Sequence, residues 1–293
     1  MTDRPVPDGR VFGLEWFRCQ ALDEETTTTL WPERHPYAEL EALRQEEPTS
    51  FSREYQNDPR DDSASMFPYQ LTGFALDDSL TFLPTYDKAA GEVVLLGVDP
   101  AIAESAGADS TAIVVIAYNR VTAQRRVLYA TRRKGLALNQ QVDLLAELCG
   151  RYKVDLGVVE QNTFAGWLLD ELRARPATRG RFLGQNTGQE KTDFRVGVPG
   201  LKMAFLERRW TMPTGDVESH RFALQWQAEF SAFGWNDGKL EGLGEHDDTV
   251  IATWYVERAI RVYELWMSQP REEIVYMEDI FPDWKPVKIG DDY

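Results

Sequence analysis

The sequence has few of the residues that cross-link small proteins or bind zinc. Its 293 residues include two cysteines and three histidines. Cys19 and Cys149 have no second cysteine or histidine at metal-binding spacing, so neither a disulfide framework nor a zinc site is expected. No stretch reaches the roughly 18 apolar residues of a membrane span, and the first residues lack the apolar core of a signal peptide. We therefore expect a soluble, cytoplasmic protein with no membrane partner.

Positive charge is also scarce, because the sequence has 32 basic side chains against 48 acidic ones and its formal net charge is −16. This balance argues against a nucleic-acid partner, since lysine and arginine contacts with phosphates supply most of that affinity. The charge is uneven, however: residues 1–90 carry 8 basic and 18 acidic side chains, residues 91–263 carry 21 and 22, and residues 264–293 carry 3 and 8. If carboxylates of the middle part bind cations, the rest of its surface is net positive, and a nucleic acid remains a candidate partner.

Apolar periodicity predicts an α/β domain in the middle of the chain, preceded by a helix at about 37–45. The expected elements, in chain order, are strands at 93–99, 112–118 and 126–131, a helix at 138–152, a strand at 156–160, a helix at 164–174, a strand at 181–183, and helices at 199–208, 217–230 and 247–263. Short connections make the first three strands an antiparallel meander, and the fourth strand, entered from a helix, lies parallel to the first. A mixed five-stranded sheet flanked by helices accounts for this order.

Acidic residues close two of these strands. Asp99 ends the first strand and Glu160 ends the fourth, so parallel pairing places both carboxylates at one edge of the sheet. Asp247 and Asp248 begin the last predicted helix. Converging carboxylates repel one another and are stable together mainly when divalent cations neutralise them; oxygen ligands favour Mg²⁺ or Mn²⁺. Two such ions about 4 Å apart can activate a water and stabilise the leaving oxygen in phosphodiester hydrolysis.

Each acidic residue also has an ordinary structural interpretation. Asp99 before Pro100 is typical of a turn. Glu160 alone is typical of a strand end, and acids at the start of a helix are favoured by the helix dipole. His246, just before the acidic pair, is a candidate metal ligand or general base, but a single histidine there is more typical of a helix cap or a surface residue. The joint order of the carboxylates along the chain favours the metal site.

Four motifs together resemble the nuclease domain of phage terminase large subunits, which has a ribonuclease H-like fold. They are GVDPA at 97–101, DSTA at 109–112, VVEQN at 158–162 and GEHDDTVIATWY at 244–255. Residues 21–59 are similar to the family's passage from motor to nuclease, and the resemblance covers nearly all of residues 12–263. It implies the end of a motor region and a linker at 1–70, a ribonuclease H-like nuclease domain at 71–263, and an acidic C-terminal tail at 264–293.

The resemblance also implies roles for five carboxylates. Asp99, Glu160 and Asp248 are the expected catalytic, metal-binding triad, with Asp247 as the alternative to Asp248. Asp109 matches an accessory position that binds the second ion. The implied activity is two-metal cleavage of double-stranded DNA concatemers, with Mg²⁺ or Mn²⁺, during viral genome packaging in the bacterial host cytoplasm.

The implied partners, besides double-stranded DNA, are an ATPase motor domain or chain, a small terminase subunit and a portal. The sequence contains no GxxxxGK[ST] phosphate loop, so ATP-driven translocation is not expected of this polypeptide alone. The motor is then supplied by a separate chain or by the rest of a longer protein. Two alternatives stay open: another ribonuclease H-like DNA nuclease of junction-resolvase or transposase type, and a non-catalytic docking module of a packaging motor.

Basic residues form two clusters in the sequence. The first, on the second predicted hairpin, is typical of a solvated face and consists of Arg120, Arg125, Arg126, Arg132, Arg133 and Lys134. The second lies between Glu160 and Asp248, where a DNA-contacting loop is expected, and its phosphate contacts are predicted for Lys191, Arg195, Lys202, Arg208 and Arg209. No base-reading motif is visible, so cleavage with little sequence preference is expected.

Overall fold

The computed structural model describes residues 10–11, 14–15, 20–23, 26–46, 51, 54–56, 65–101, 110–160, 165–185, 189–236, 239–242 and 246–268. The chain divides into two compact units, Met1–Ala64 and Ser65–Tyr293. Asp109, most of the predicted linker and the tail beyond residue 268 lie outside the described residues. The roles expected for 1–70, 71–263 and 264–293 therefore stay predictions.

Among its described residues, the first unit contains short antiparallel strand pairs and the helix Tyr37–Glu46. Its elements are β1 (Arg10–Val11), β2 (Leu14–Glu15), β3 (Leu22–Asp23), β4 (Thr28–Thr29) and α1 (Tyr37–Glu46). β1 pairs with β2 and β3 pairs with β4. A small core forms around Leu22, Leu40 and Phe51. The buried Gln56 side chain bonds both the amide and the carbonyl of Leu22 at 3.0 Å, which satisfies backbone groups that the short strand leaves unpaired. The helix predicted at 37–45 is confirmed.

The second unit is built on a seven-stranded sheet in the order β10-β9-β6-β7-β8-β11-β5. Its elements are α2 (Tyr69–Gly73), β5 (Leu76–Asp77), β6 (Glu92–Asp99), β7 (Ser110–Asn119), β8 (Arg125–Lys134), α3 (Leu138–Tyr152), β9 (Leu156–Glu160), α4 (Ala165–Ala174), β10 (Phe182–Gln185), a 3₁₀ turn (Gln189–Thr192), α5 (Val198–Leu206), β11 (Trp210–Pro213), α6 (Val217–Ser231), β12 (Phe233–Asn236), β13 (Lys239–Gly242) and α7 (Asp248–Ser268).

The α/β class expected from the sequence, a mixed sheet flanked by helices, is confirmed. β6, β7 and β8 form the antiparallel meander, and α3 returns the chain to β9, which is parallel to β6 and to β10. The sheet is larger than the five strands expected, because β11 and β5 extend it beyond β8. These two strands are only four and two residues long and β11 ends on Pro213, so neither gives a clear strand pattern.

Helices cover both faces of the sheet, and apolar residues alternate between the two resulting cores. One core joins β6, β7 and β8 to α5, α6 and α7 through residues such as Leu95, Trp226 and Trp254. The other joins the opposite face to α3 and α4 through residues such as Leu96 and Leu168. Among the described residues, no helix combines the length and the apolar character that crossing a membrane requires.

The backbone of α7 lies directly against β6 at Gly97. A Cβ atom at this position would overlap the carbonyl oxygen of Ala252 and lie 2.7 Å from the amide nitrogen of Val256. Glycine is therefore required by the close approach of helix and strand. Since side chains two apart on a strand share a face, Asp99 emerges on the same side of the sheet as α7.

Candidate metal centre

The ends of β6 and β9 bring two carboxylates together, as the sequence predicts. Val98 pairs in parallel with Val159, so Asp99 and Glu160 follow side by side at one edge of the sheet. A side-chain hydrogen bond links the two carboxyl groups. Burial, followed by the charges of Glu160 and Asp248, the shared hydrogen bond and the charge of Asp247, raises the pKa of Asp99 well above its usual range.

Asp247 and Asp248 stand at the start of α7 and differ in their contacts. Oδ2 of Asp247 accepts a hydrogen bond from the Gly242 amide at 3.2 Å and lies 3.5 Å from Nζ of Lys191. Asp248 is buried, and its charge raises the pKa of Asp99 more than the charge of Asp247 does. These contacts favour Asp248 over Asp247 as the third carboxylate, which stays a prediction.

Arg132 approaches Asp248 from the sheet, in a row of side chains that faces α7. Ala112 on β7 pairs with Asp99 on one side and with Arg132 on the other. Nε of Arg132 lies 2.9 Å from Oδ2 of Asp248 and 3.1 Å from Oε1 of Glu229 on α6. The Arg132 side chain is 6% exposed, so the expectation that this basic cluster is a solvated face is wrong at this position.

Glu229 ties this arginine to the start of α7. Its Oε2 accepts hydrogen bonds from the Thr249 amide at 2.7 Å and from the Thr249 hydroxyl at 2.6 Å. The first of these bonds satisfies a donor that the helix itself leaves unpaired. Burial raises the pKa of Glu229 to about 7, against the opposing charge of Arg132. Burial also raises the pKa of Asp248, and the hydrogen bond from Arg132 opposes it.

A β-bulge explains why strand periodicity does not indicate this arrangement. Arg125 and Arg132 stand seven positions apart on β8, an odd spacing that places side chains of a regular strand on opposite faces. Val115 pairs with Tyr129 but Ile116 pairs with Val127, so one residue of β8 is skipped between them. The bulge returns Arg125 to the face of α7, where it binds Glu257 through Nε at 2.7 Å and Nη2 at 2.9 Å.

The donor chemistry at this edge fits a hard divalent cation. Asp99 and Glu160 offer adjacent carboxylate oxygens, the ligands that Mg²⁺ and Mn²⁺ prefer. Asp248 stands beside them but is held by Arg132. Across the residues described, no three histidine, cysteine, aspartate or glutamate side chains are grouped as ligands of one ion. Asp109 falls in the undescribed segment 102–109.

The predicted DNA-contacting residues lie in different places. Lys191 stands at the carboxylate edge, paired with Asp247 and 5.4 Å from the Phe233 ring centroid. Arg195 is exposed, near the middle of α7, and Lys202 lies on α5.

Arg208 and Arg209 directly precede Trp210, which pairs with Arg125 at the far end of β8. The seven strand residues from there to Arg132 span roughly 23 Å, so these two arginines lie far from Asp99. Phosphate contacts by all five residues remain a prediction.

Known structures with a similar fold include nuclease domains of phage large terminases. The large terminase nuclease from thermophilic phage G20c aligns with 67% of this chain and 98% of its own, at 15% identity and a TM-score of 0.46. The SPP1 large terminase nuclease domain with bound Mn aligns with 66% and 98%, at 15% identity and 0.43. The P22 large terminase nuclease domain aligns with 65% and 92%, at 11% identity and 0.44. No protein-family model and no curated protein sequence matches the chain.

These three structures are nuclease domains of phage large terminases, the family that the motifs around Asp99, Glu160 and Asp248 resemble. The fold itself is defined by the strand order and the helix placement described above. The roles of individual residues are argued from the contacts within this chain.

Proposed function

We propose that the protein is a metal-dependent endonuclease that cleaves double-stranded DNA concatemers during viral genome packaging, in the host bacterial cytoplasm. The observation that carries the proposal is the meeting of Asp99 and Glu160 at one sheet edge; the charge of Asp248, at the start of α7, also acts on Asp99. Burying several carboxylates together is costly unless cations neutralise them, so this cluster is better explained by ion binding than by stability.

In this proposal Asp99 and Glu160 hold two divalent cations, with Asp248 completing the site and Asp109 as an accessory ligand. When bound, the ions supply an activated water and stabilise the leaving oxygen of the phosphodiester. In the same proposal Lys191, which pairs with Asp247, contacts a phosphate next to the scissile bond. Arg195 and Lys202 continue the proposed path of the DNA backbone, and Arg208 and Arg209 are assigned to a contact farther away.

The proposed partners follow from the sequence resemblance. They are an ATPase motor domain or chain, a small terminase subunit and a portal, none of which changes the chemistry assigned to the carboxylates. The activity of the carboxylate edge can therefore be tested on the purified chain alone.

Plasmid digestion tests the proposal. We expect nicking and linearisation in Mn²⁺ or Mg²⁺ and none in EDTA. Asp99→Ala is expected to abolish cleavage while the unfolding midpoint stays at or above that of the wild type, because a cause of charge repulsion is removed. Glu92→Gln is the matched control, since Glu92 is the acid at the opposite end of the same strand β6.

The control variant is expected to cut like the wild type. Cleavage by Asp99→Ala at the wild-type rate would contradict the proposed site. A strong preference for four-way junctions over plasmid would instead indicate a nuclease of junction-resolvase type. Tight binding to a packaging protein without any cleavage would indicate the docking module.

A further inference from the structure

Two residues outside the predicted triad, Arg132 and Glu229, are linked to Asp248 by side-chain contacts. The guanidinium of Arg132 lies between Oδ2 of Asp248 and Oε1 of Glu229, at 2.9 and 3.1 Å. All three side chains are almost fully buried, with 6%, 9% and 8% of their surfaces exposed. Water therefore competes little for these hydrogen bonds, and charge-assisted bonds in such surroundings are strong and directional.

The arginine is itself held by a second layer of contacts. Glu229 receives both the amide and the hydroxyl hydrogen bonds of Thr249, the residue next to Asp248. Glu229 is thus attached to the same helix turn that carries Asp248. The contacts run from Asp248 through Arg132 and Glu229 to Thr249, so Arg132 is anchored to the same helix turn whose carboxylate it binds.

We infer that Arg132, supported by Glu229, is a positioning residue that presents the Asp248 carboxylate to the divalent cations of the proposed nuclease site. The inference rests on the proposed function. Arg132 binds Oδ2 of Asp248, and in this inference the other oxygen, Oδ1, is the one that would bind the cation. Outer contacts of this kind commonly orient metal-binding carboxylates, and their loss costs roughly 10–100-fold in metal affinity or activity.

Arg132→Lys separates positioning from charge. Lysine keeps the positive charge but replaces the rigid, planar guanidinium, whose Nε contacts both carboxylates, by an ammonium group on a flexible stem. If the charge alone mattered, the variant would bind cations like the wild type. If orientation matters, Asp248 loses its fixed rotamer although the net charge is unchanged.

Arg125→Lys is the matched control. Arg125 lies on the same strand, faces the same helix and forms a similarly buried pair with Glu257, with side chains 8% and 13% exposed. It stands at the far end of the sheet from Asp99. General damage to the contact between β8 and α7 therefore affects both variants, whereas damage to the cation site affects Arg132→Lys alone.

The measurements are Mn²⁺ binding to the DNA-free full chain by electron paramagnetic resonance, the thermal unfolding midpoint in EDTA, and plasmid cleavage at saturating Mn²⁺. For Arg132→Lys we expect Mn²⁺ affinity to fall by about 10-fold or more and kcat to fall with KM for plasmid unchanged. Arg125→Lys is expected to lower the midpoint by a similar amount and to bind Mn²⁺ like the wild type.

Glu229→Gln provides a second route if Arg132→Lys does not fold. The amide oxygen can still accept from Thr249, but one of the two anions that hold the guanidinium is lost, so weaker Mn²⁺ binding is again expected. Unchanged or tighter Mn²⁺ binding in the folded variant overturns the inference while leaving the proposed function standing. A wild-type chain that binds no Mn²⁺ and cuts no plasmid contradicts both together.

Discussion

The two ends of the contact between β8 and α7 carry similar arginines in different charge environments. At one end, Arg125 forms a two-point pair with Glu257, whose Oε1 also accepts from the Trp210 indole at 3.2 Å. At the other end, Arg132 is shared between Glu229 and Asp248.

The Arg125 end is a closed ion pair, with one buried acid for one buried base. The Arg132 end has acids in excess, because Asp99 and Glu160 stand in the same row of the sheet. Buried charge without compensation is unfavourable; the first arrangement contains its own counter-charge, whereas under the proposed function a bound cation would neutralise the excess acids of the second. The two ends thus differ in charge balance, and only the Arg132 end belongs to the proposed cation site.

The largest expected effect comes from Gly97→Ala on β6, which would move α7 and so disturb both the Arg125 and the Arg132 contacts. The added methyl group would collide with the α7 backbone at Ala252 and Val256, so helix and strand must separate. We expect a loss of more than about 3 kcal/mol in the free energy of unfolding, measured by urea denaturation. Gly150→Ala, where a Cβ meets no atom within 4 Å, is the control and should not destabilise the protein. Wild-type stability of Gly97→Ala would show that the close approach is not rigid.

A smaller effect on the free energy of unfolding should distinguish the Arg132 end from the Arg125 end when Mn²⁺ is added. If acids in excess bind the ion, Mn²⁺ at about 100 times its Kd stabilises the wild type by about 2.7 kcal/mol. Asp99→Asn should lose this gain, because it removes a ligand. Arg125→Lys should keep it, although its stability in EDTA is lower. Unfolding curves with and without Mn²⁺ check the expectation, and an equal gain in Asp99→Asn would place the ion elsewhere.

The smallest effect compares one hydrogen bond at each end. Thr249→Val removes the hydroxyl bond to Glu229, and Trp210→Phe removes the indole bond to Glu257. Each change should cost about 1.5 kcal/mol in EDTA, since the acceptor is a buried carboxylate. In saturating Mn²⁺ we expect Thr249→Val to show the larger loss, because Glu229 supports the arginine that positions Asp248. Equal losses under both conditions would argue that the two ends are alike.

The sequence predicted the elements of the central sheet because their patterns are local. The runs that became β6, β7 and β9 are apolar and β-branched, and the helix at 138–152 appears with the predicted bounds. The meeting of Asp99 with Glu160 also followed from parallel pairing alone. Strands β5 and β11 were missed, since short strands at a sheet edge are set by tertiary pairing and not by their own composition.

The Arg132 and Glu229 contacts could not be predicted in the same way. Arg132 stands among exposed basic neighbours, and its burial depends on which face the strand presents at that position. Because of the bulge in β8, Arg132 and Arg125 point to the same face of the sheet despite their odd spacing. No residue type marks the bulge in the sequence. Glu229 lies near the end of an amphipathic helix and meets Thr249 only because α6 packs against α7. Both residues act over sequence separations that periodicity does not report.

The close approach at Gly97 also has a consequence for hydrogen exchange. Because the α7 backbone touches the β6 backbone there, neither element can open without the other, and the two should behave as one cooperative unit. Amides of β6 near Asp99 and of the first turns of α7 are then expected to exchange at a common slow rate. On this view the backbone that carries Asp99 belongs to the part of the protein that is most protected from hydrogen exchange.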